Sequence, residues 1–155
     1  MSTIIDGSAG ITFPAGGNPQ AAPAGVIQVV NATIATTQST TATNASPAST
    51  TLSATITPKF STSRIWVAVS SVGGQGTTGR SAFFYVFKNG SSQMRIECND
   101  TNYIVYYPIC INYMDSPATT SATTYAVYFA TDGVGTTYFA NANSQSALTL
   151  MEIAA

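Results

Sequence analysis

From Val26 onward, apolar and β-branched residues return at every second position, as in Leu52, Ala54 and Ile56 set between Ser53, Thr55 and Thr57. A period of two sorts side chains onto the opposite faces of an extended strand, whereas a helix needs apolar residues three and four apart. Heptads are absent, and the longest helix-compatible windows are Ala/Thr segments without an apolar stripe. The spacing therefore predicts an all-β fold.

Val26–Ile34 reads as the first strand. Thr36–Thr51, rich in Ser, Thr, Asn and Ala, is either an open loop or a polar edge strand, and Leu52–Thr57 is a half-buried strand that Pro58 ends. Ile65–Val69 is apolar on both faces, which predicts a central strand whose second face is covered by a packed sheet or a subunit contact. Gly73, Gly74, Gly76 and Gly79 read as a flexible loop. Ala82–Phe87 and Met94–Cys98 form a hairpin through Lys88-Asn89-Gly90, because Asn and Gly tolerate positive φ. Asn102–Met114 carries Tyr103, Val105, Tyr107, Ile109, Ile111 and Tyr113 on one parity, with Pro108 arguing for an edge position, a bulge or two shorter strands. Asp115-Ser116-Pro117 ends that strand, Asp115 accepting local backbone N–H groups. Thr123–Ala130, with Tyr125, Val127 and Phe129 inward, then Thr136–Ala140 and Ala147–Ile153, complete the series. About eight strands with long crossings fit an antiparallel β-sandwich of jelly-roll or related Greek-key topology, with an immunoglobulin-like order as the alternative.

Residues 1–25 differ. Gly7, Gly10, Pro14, Gly16, Gly17, Pro19, Pro23 and Gly25 interrupt them too often for a long element, so they read as an N-terminal arm or connector in which Ile4, Ile5, Ile11 and Phe13 dock on a neighbour. Residues 26–155 form a single β-sandwich domain, for which 155 residues at 45% hydrophobic content supply an adequate core.

Composition narrows the function classes. Five Lys/Arg, six Asp/Glu and no His leave a net charge of -1, while Ser and Thr together number 41. The basic residues Lys59, Arg64, Arg80, Lys88 and Arg95 are scattered, so no nucleic-acid footprint exists. No apolar run approaches eighteen residues and no basic leader precedes one, so membrane insertion and classical secretion are not indicated. A surface with so few charges argues for burial in an assembly of identical copies.

Catalytic chemistry finds little to work with. No histidine activates a serine, and the acids Asp6, Glu97, Asp100, Asp115, Asp132 and Glu152 sit mostly where turns and strand ends need them, so no catalytic, metal or cofactor residues are assigned and the chain reads as a non-enzyme. Cys98 and Cys110 read as two small buried or half-buried side chains, a disulfide requiring their Cα atoms to come within about 7 Å. One binding constellation stands out: Tyr103, Tyr106 and Tyr107 beside Asn99, Asn102 and Asn112 combine flat aromatic faces with side-chain amides, as a glycan or receptor contact requires. Core or subunit packing accounts for the alternate tyrosines equally simply.

The stretch Tyr113-Met114-Asp115-Ser116-Pro117-Ala118-Thr119-Thr120-Ser121-Ala122-Thr123-Thr124-Tyr125 resembles one common in fibre and appendage proteins of tailed bacteriophages. Ile56-Thr57-Pro58-Lys59 with Ser63-Arg64-Ile65, Phe87-Lys88-Asn89-Gly90 and Leu148-Thr149-Leu150-Met151-Glu152-Ile153-Ala154 are similar to parts of the same β domain, and Asp6–Pro14 is similar to its usual connector. The connector departs from the pattern where Pro14-Ala15-Gly16-Gly17 replaces Pro-Asp-Gly. The resemblance implies a structural protein of the virion, made in the host cytoplasm and displayed on the head or tail surface as a short fibre, tip, spike or decoration. It implies a homo-oligomer, with a trimer favoured, attached to other phage virion proteins through residues 1–25, and in some relatives contact with a host surface glycan or protein. For Asp115, Pro117, Asn89, Gly90 and Glu152 it implies structural roles only.

Overall fold

The computed structural model describes residues 4–6, 10–12, 25–100 and 106–154, with the backbone alone described for 4–6, 10–12 and 100. Two short strands, β1 (Ile4–Asp6) and β2 (Gly10–Thr12), pair antiparallel with each other. The sandwich follows as β3 (Val26–Ile34), β4 (Gln38–Thr40), β5 (Ala48–Ile56), β6 (Arg64–Gln75), β7 (Arg80–Lys88), β8 (Ser91–Asp100), β9 (Tyr106–Asp115), β10 (Thr123–Thr131), β11 (Thr137–Phe139) and β12 (Ser146–Ile153). No helix occurs among the described residues.

One sheet has the order β9-β6-β12-β3, and the far end of β6 also pairs β11, which pairs β4; the other sheet runs β5-β10-β7-β8. Counting only the eight long strands, the orders are sixth-third-eighth-first and second-seventh-fourth-fifth. Successive strands switch sheets at every step except the β7–β8 hairpin, which is the jelly-roll form of the Greek key. Pro108 lies on β9, whose only ladder partner among the described strands is β6, so its missing N–H faces the open edge.

The alternation builds the core. In β5, Leu52, Ala54 and Ile56 point inward and are buried while Ser53 and Thr55 face solvent. They meet Ile65, Val67 and Val69 of β6, Phe84 and Val86 of β7, Ile109 and Ile111 of β9, Tyr125 and Val127 of β10, and Leu148 and Leu150 of β12 in one hydrophobic cluster. Phe84, Phe129 and Phe139 fill one end, with ring centroids 6.1 and 6.2 Å apart. A bulge in the β10–β5 ladder between Ala126 and Tyr128 is closed by the Thr50 hydroxyl, which donates to the Val127 carbonyl at 2.8 Å.

Asn89 (φ 46°) and Gly90 (φ 83°) form the two-residue turn between Lys88 and Ser91, where both central residues need positive φ. The Asn89 side-chain oxygen also accepts the Thr124 N–H at 2.9 Å, so the turn is tied to β10.

Three expectations change. Gly73 and Gly74 are not loop but the continuation of β6, which runs to Gln75. The reason is packing: a Cβ on Gly73 would lie 2.6 Å from the Phe84 ring and 2.9 Å from the Tyr138 carbonyl, so the bare backbone is what lets those groups close on the strand. Thr36–Thr51 divides into the short strand β4, a turn and the start of β5. Of Asn102–Met114, residues 102–105 lie outside the described residues, and the rest belongs to β9. Finally, the Asp115 carboxylate caps no local turn; it faces inward to a lysine and a tyrosine, described below.

Candidate functional site

The sandwich has two ends. Gly25, residues 57–63, the Asn89-Gly90 turn and residues 116–122 lie at the base, and residues 76–79, 132–136 and 140–145 lie at the top.

At the base, buried polar groups hold the strands rather than present themselves to a ligand. Asp115 accepts two hydrogen bonds from the Lys88 ammonium at 3.0 Å and one from the Tyr125 hydroxyl at 2.6 Å, joining the last residue of β9 to β7 and β10 across the two sheets. Burial, with the adjacent Asp115 carboxylate, pushes the Tyr125 and Tyr113 phenols well above the ordinary range. The Tyr113 hydroxyl is buried and has no hydrogen-bond partner. Glu152 is fully buried, and its carboxylate accepts the Lys59 N–H at 2.7 Å, the Phe60 N–H at 3.4 Å and the Gln28 amide. Burial alone would raise its pKa, but these donors, with the Ser63 hydroxyl alongside, hold it below the ordinary glutamate value. At the top, Asp132 accepts the Val134 N–H at 3.2 Å, the local turn expected of it, and lies 3.7 Å from Arg80.

Of the six residues singled out for glycan or receptor contact, the four that are described do not gather at one place. Asn102 and Tyr103 lie outside the described residues. Asn99 is on the outward face of β8 and donates to the Ser81 hydroxyl at 3.0 Å. Tyr107 points inward and packs against the core. Tyr106 and Asn112 share the outward face of β9, six residues and so about 20 Å apart. Of these, Tyr106 is 45% exposed, and it has a partner the periodicity does not reveal: Tyr138. Gly74 stands between them, opposite Tyr106 on one side and Tyr138 on the other, and with no side chain in the way the two rings approach to 6.1 Å. Cys98 faces inward from β8 and Cys110 outward from β9, so both are free thiols, Cys110 exposed and Cys98 half-buried. No group of three or more His, Cys, Asp or Glu among the described residues is placed to hold a metal ion.

The outward faces of the two sheets differ. On β5-β10-β7-β8 the aromatics close on themselves: Arg95 lies 5.1 Å over the Phe83 ring, Phe87 stacks on Tyr128 at 4.1 Å, and the Tyr85 hydroxyl donates to Asn44. Phe83 and Tyr85 are thereby buried by their own neighbours. On β9-β6-β12-β3 the register instead lines up Val29, Met151, Trp66 and Met114 as one row across all four strands near the base. Val29 is 55% and Trp66 38% exposed, and Val26 and Ile27, beside a bulge at the start of β3, extend the apolar surface. Above it lies a neutral row, Asn31, Thr149, Ala68 and Asn112, in which Asn31 donates to the Thr149 hydroxyl at 2.7 Å. Arg64 is the one charged residue that this face carries among the described residues. The second face of Ile65–Val69, expected to be covered by a packed sheet or a subunit contact, is not covered by any strand among the described residues.

No protein family matches the sequence, and no curated protein matches it either. Among solved structures, the chain is similar to the subunit of T=1 particles derived from infectious bursal virus, with 13% identity and a TM-score of 0.41 over 84% of this chain and 37% of that one. It is similar also to the infectious bursal disease virus VP2 subviral particle, with 13% identity and a TM-score of 0.40 over 84% of this chain and 38% of that one. This chain thus spans well under half the length of either protein. The functional reading below rests on neither likeness.

Proposed function

We propose that this chain is a non-enzymatic structural protein of a virus particle that works as an assembly of identical copies. The observation that carries the reading is the outward face of β9-β6-β12-β3: four strands wide, with Arg64 as its single charge and an unbroken apolar row at its base end. A solitary soluble domain interrupts such a face with charges, whereas a subunit buries it. The described acids support the same reading, because Asp115, Asp132 and Glu152 are all engaged in holding strands and turns.

The finer reading follows the resemblance to tailed-phage appendage proteins. The chain is a short fibre, tip, spike or decoration, trimeric, and held to other virion proteins by residues 1–25. The sandwich is joined to those residues at Gly25, whose carbonyl accepts the Ala154 N–H at the base, so attachment there leaves the top directed away. The test is to purify particles and locate the protein in them by mass spectrometry and by density in an imaged particle. A protein absent from purified particles would end the reading, and a chain lacking residues 1–24 that is incorporated normally would end the anchoring part of it.

A second reading, a host-receptor or glycan-binding tip, is favoured by one feature: the Tyr106–Tyr138 ring pair near the top, with Tyr106 exposed and Tyr138 half-buried, at the end remote from Gly25. Tyr106→Ala in assembled particles is expected to lower adsorption to host cells with particle composition unchanged. Unaltered adsorption would remove this site from consideration.

A further inference from the structure

The apolar row on the β9-β6-β12-β3 face has a symmetry of its own. In register it reads Val29, Met151, Trp66, Met114, with the middle of the row between Met151 and Trp66. A half-turn about an axis level with that midpoint, lying in the contact plane and parallel to the strands, lays the row on a second copy in reverse order. Each Trp66 then meets Met151 of the partner subunit, and each Val29 meets Met114 of the partner subunit. We propose that this face is a two-fold docking site for a second copy of the same chain, an inference that rests on the reading of the chain as an assembly of identical copies and not on its trimeric form, since a two-fold face joins two copies.

Three features select another copy as the occupant. First, the surface is self-complementary in chemistry as well as order: thioether against indole at the centre is a favourable contact, and flexible methionines accommodate the fit. Second, the charge balance suits a like surface. Arg64 lies in the row nearest the base, beside Ile153, and is exposed, so no acid or base need be buried at the centre. Third, the area suffices for specific contact. Four strands spaced about 4.8 Å apart and eight residues of about 3.3 Å each give roughly 500 Å² per copy. Two copies then bury about 1,000 Å², the size that a specific interface has to reach. The other sheet offers no comparable site, since its outward aromatics are already covered by Arg95 and by one another.

Trp66 is the only tryptophan in the chain, so the centre of the proposed contact reports on itself. In the full-length protein, Trp66 emission is expected to move to the blue and acrylamide quenching to fall several-fold as concentration rises through the micromolar range, in step with dimer formation in sedimentation. Val29→Glu, at an exposed position, should abolish both changes while the melting temperature stays within a few degrees. Adding Met114→Lys to Val29→Glu should restore them, because the half-turn sets each new glutamate against a new lysine. A red, freely quenched Trp66 at every concentration would overturn the proposal. So would a blue, protected Trp66 that does not depend on concentration, which would mean that the chain covers the row itself. Association that Val29→Glu leaves intact would place the interface elsewhere and overturn it too. Each of these outcomes is independent of whether the protein is found in particles.

Discussion

Glu152 is a buried carboxylate whose hydrogen-bond donors are amides, two of the backbone and one of Gln28, rather than a basic side chain. Its acid is held below the ordinary value, so the unfolded chain takes up a proton first as pH falls. The stability it contributes is complete above about pH 4.3, the ordinary glutamate value, and is lost as pH drops through its lower folded value. Urea midpoints between pH 6 and pH 3 should therefore decline in the native chain and decline less in Glu152→Gln; equal slopes would show that the hydrogen bonds do not favour the charged form. The two tyrosines near Asp115 make a paired comparison. Tyr125→Phe removes a hydroxyl bonded to a carboxylate and is expected to cost about 1.5–3 kcal/mol. Tyr113→Phe removes a buried hydroxyl without a partner and should be neutral or stabilising in the same denaturation assay. Both tyrosines fall on inward parity in the sequence, yet the hydroxyl's partner depends on which strand end faces it. The alternation could not tell them apart.

At the level of the element, β6 and the β7–β8 hairpin use glycine for opposite reasons. Gly90 has φ 83° and open space where a Cβ would be, so Gly90→Ala is expected to cost about 1–2 kcal/mol from backbone conformation alone. Gly73 is in a strand, and Gly73→Ala meets the Phe84 ring and a backbone carbonyl, an overpacking cost of about 1–3 kcal/mol. Truncating Phe84 to alanine in the Gly73→Ala background should recover part of the second loss, measured as non-additivity in a double-mutant cycle, and none of the first. The Asn89-Gly90 turn was legible because turn chemistry is local. Four glycines between residues 73 and 79 also look like turn chemistry; that inference holds at Gly76 and Gly79 but fails at Gly73 and Gly74, where β6 continues and the Phe84 ring and the Tyr138 carbonyl arrive from other strands against Gly73. The same distance effect explains Asp115, which reads as a local cap before Pro117 and instead bonds Lys88 and Tyr125.

For the whole molecule, the polarity from base to top organises the expected behaviour. The open apolar row and Gly25 lie at the base, and the Tyr106–Tyr138 pair lies towards the other end. The 155-residue chain should sediment well above 16.0 kDa at tens of micromolar. A clean monomer there would argue against assembly through any face. Cysteine chemistry offers an independent check on the sandwich. Cys110 faces outward and is exposed while Cys98 faces inward and is half-buried, so at concentrations below dimer formation a thiol reagent should modify Cys110 faster than Cys98. Two equal rates would contradict the assignment of faces.

The alternation by itself determined that this chain is all strand, which residues of most strands share a face, and where the Asn89-Gly90 hairpin turns. Those properties depend on neighbours one or two positions away, and the physics of an extended backbone settles them locally. The pairing of strands is not local. Met151 stands beside Trp66 and Val29, and Trp66 beside Met114, only because eight strands close into a jelly roll with one particular register. In the sequence these four residues look like ordinary members of four strands. The fold makes them one continuous surface, and with it the most chemically specific feature the molecule presents.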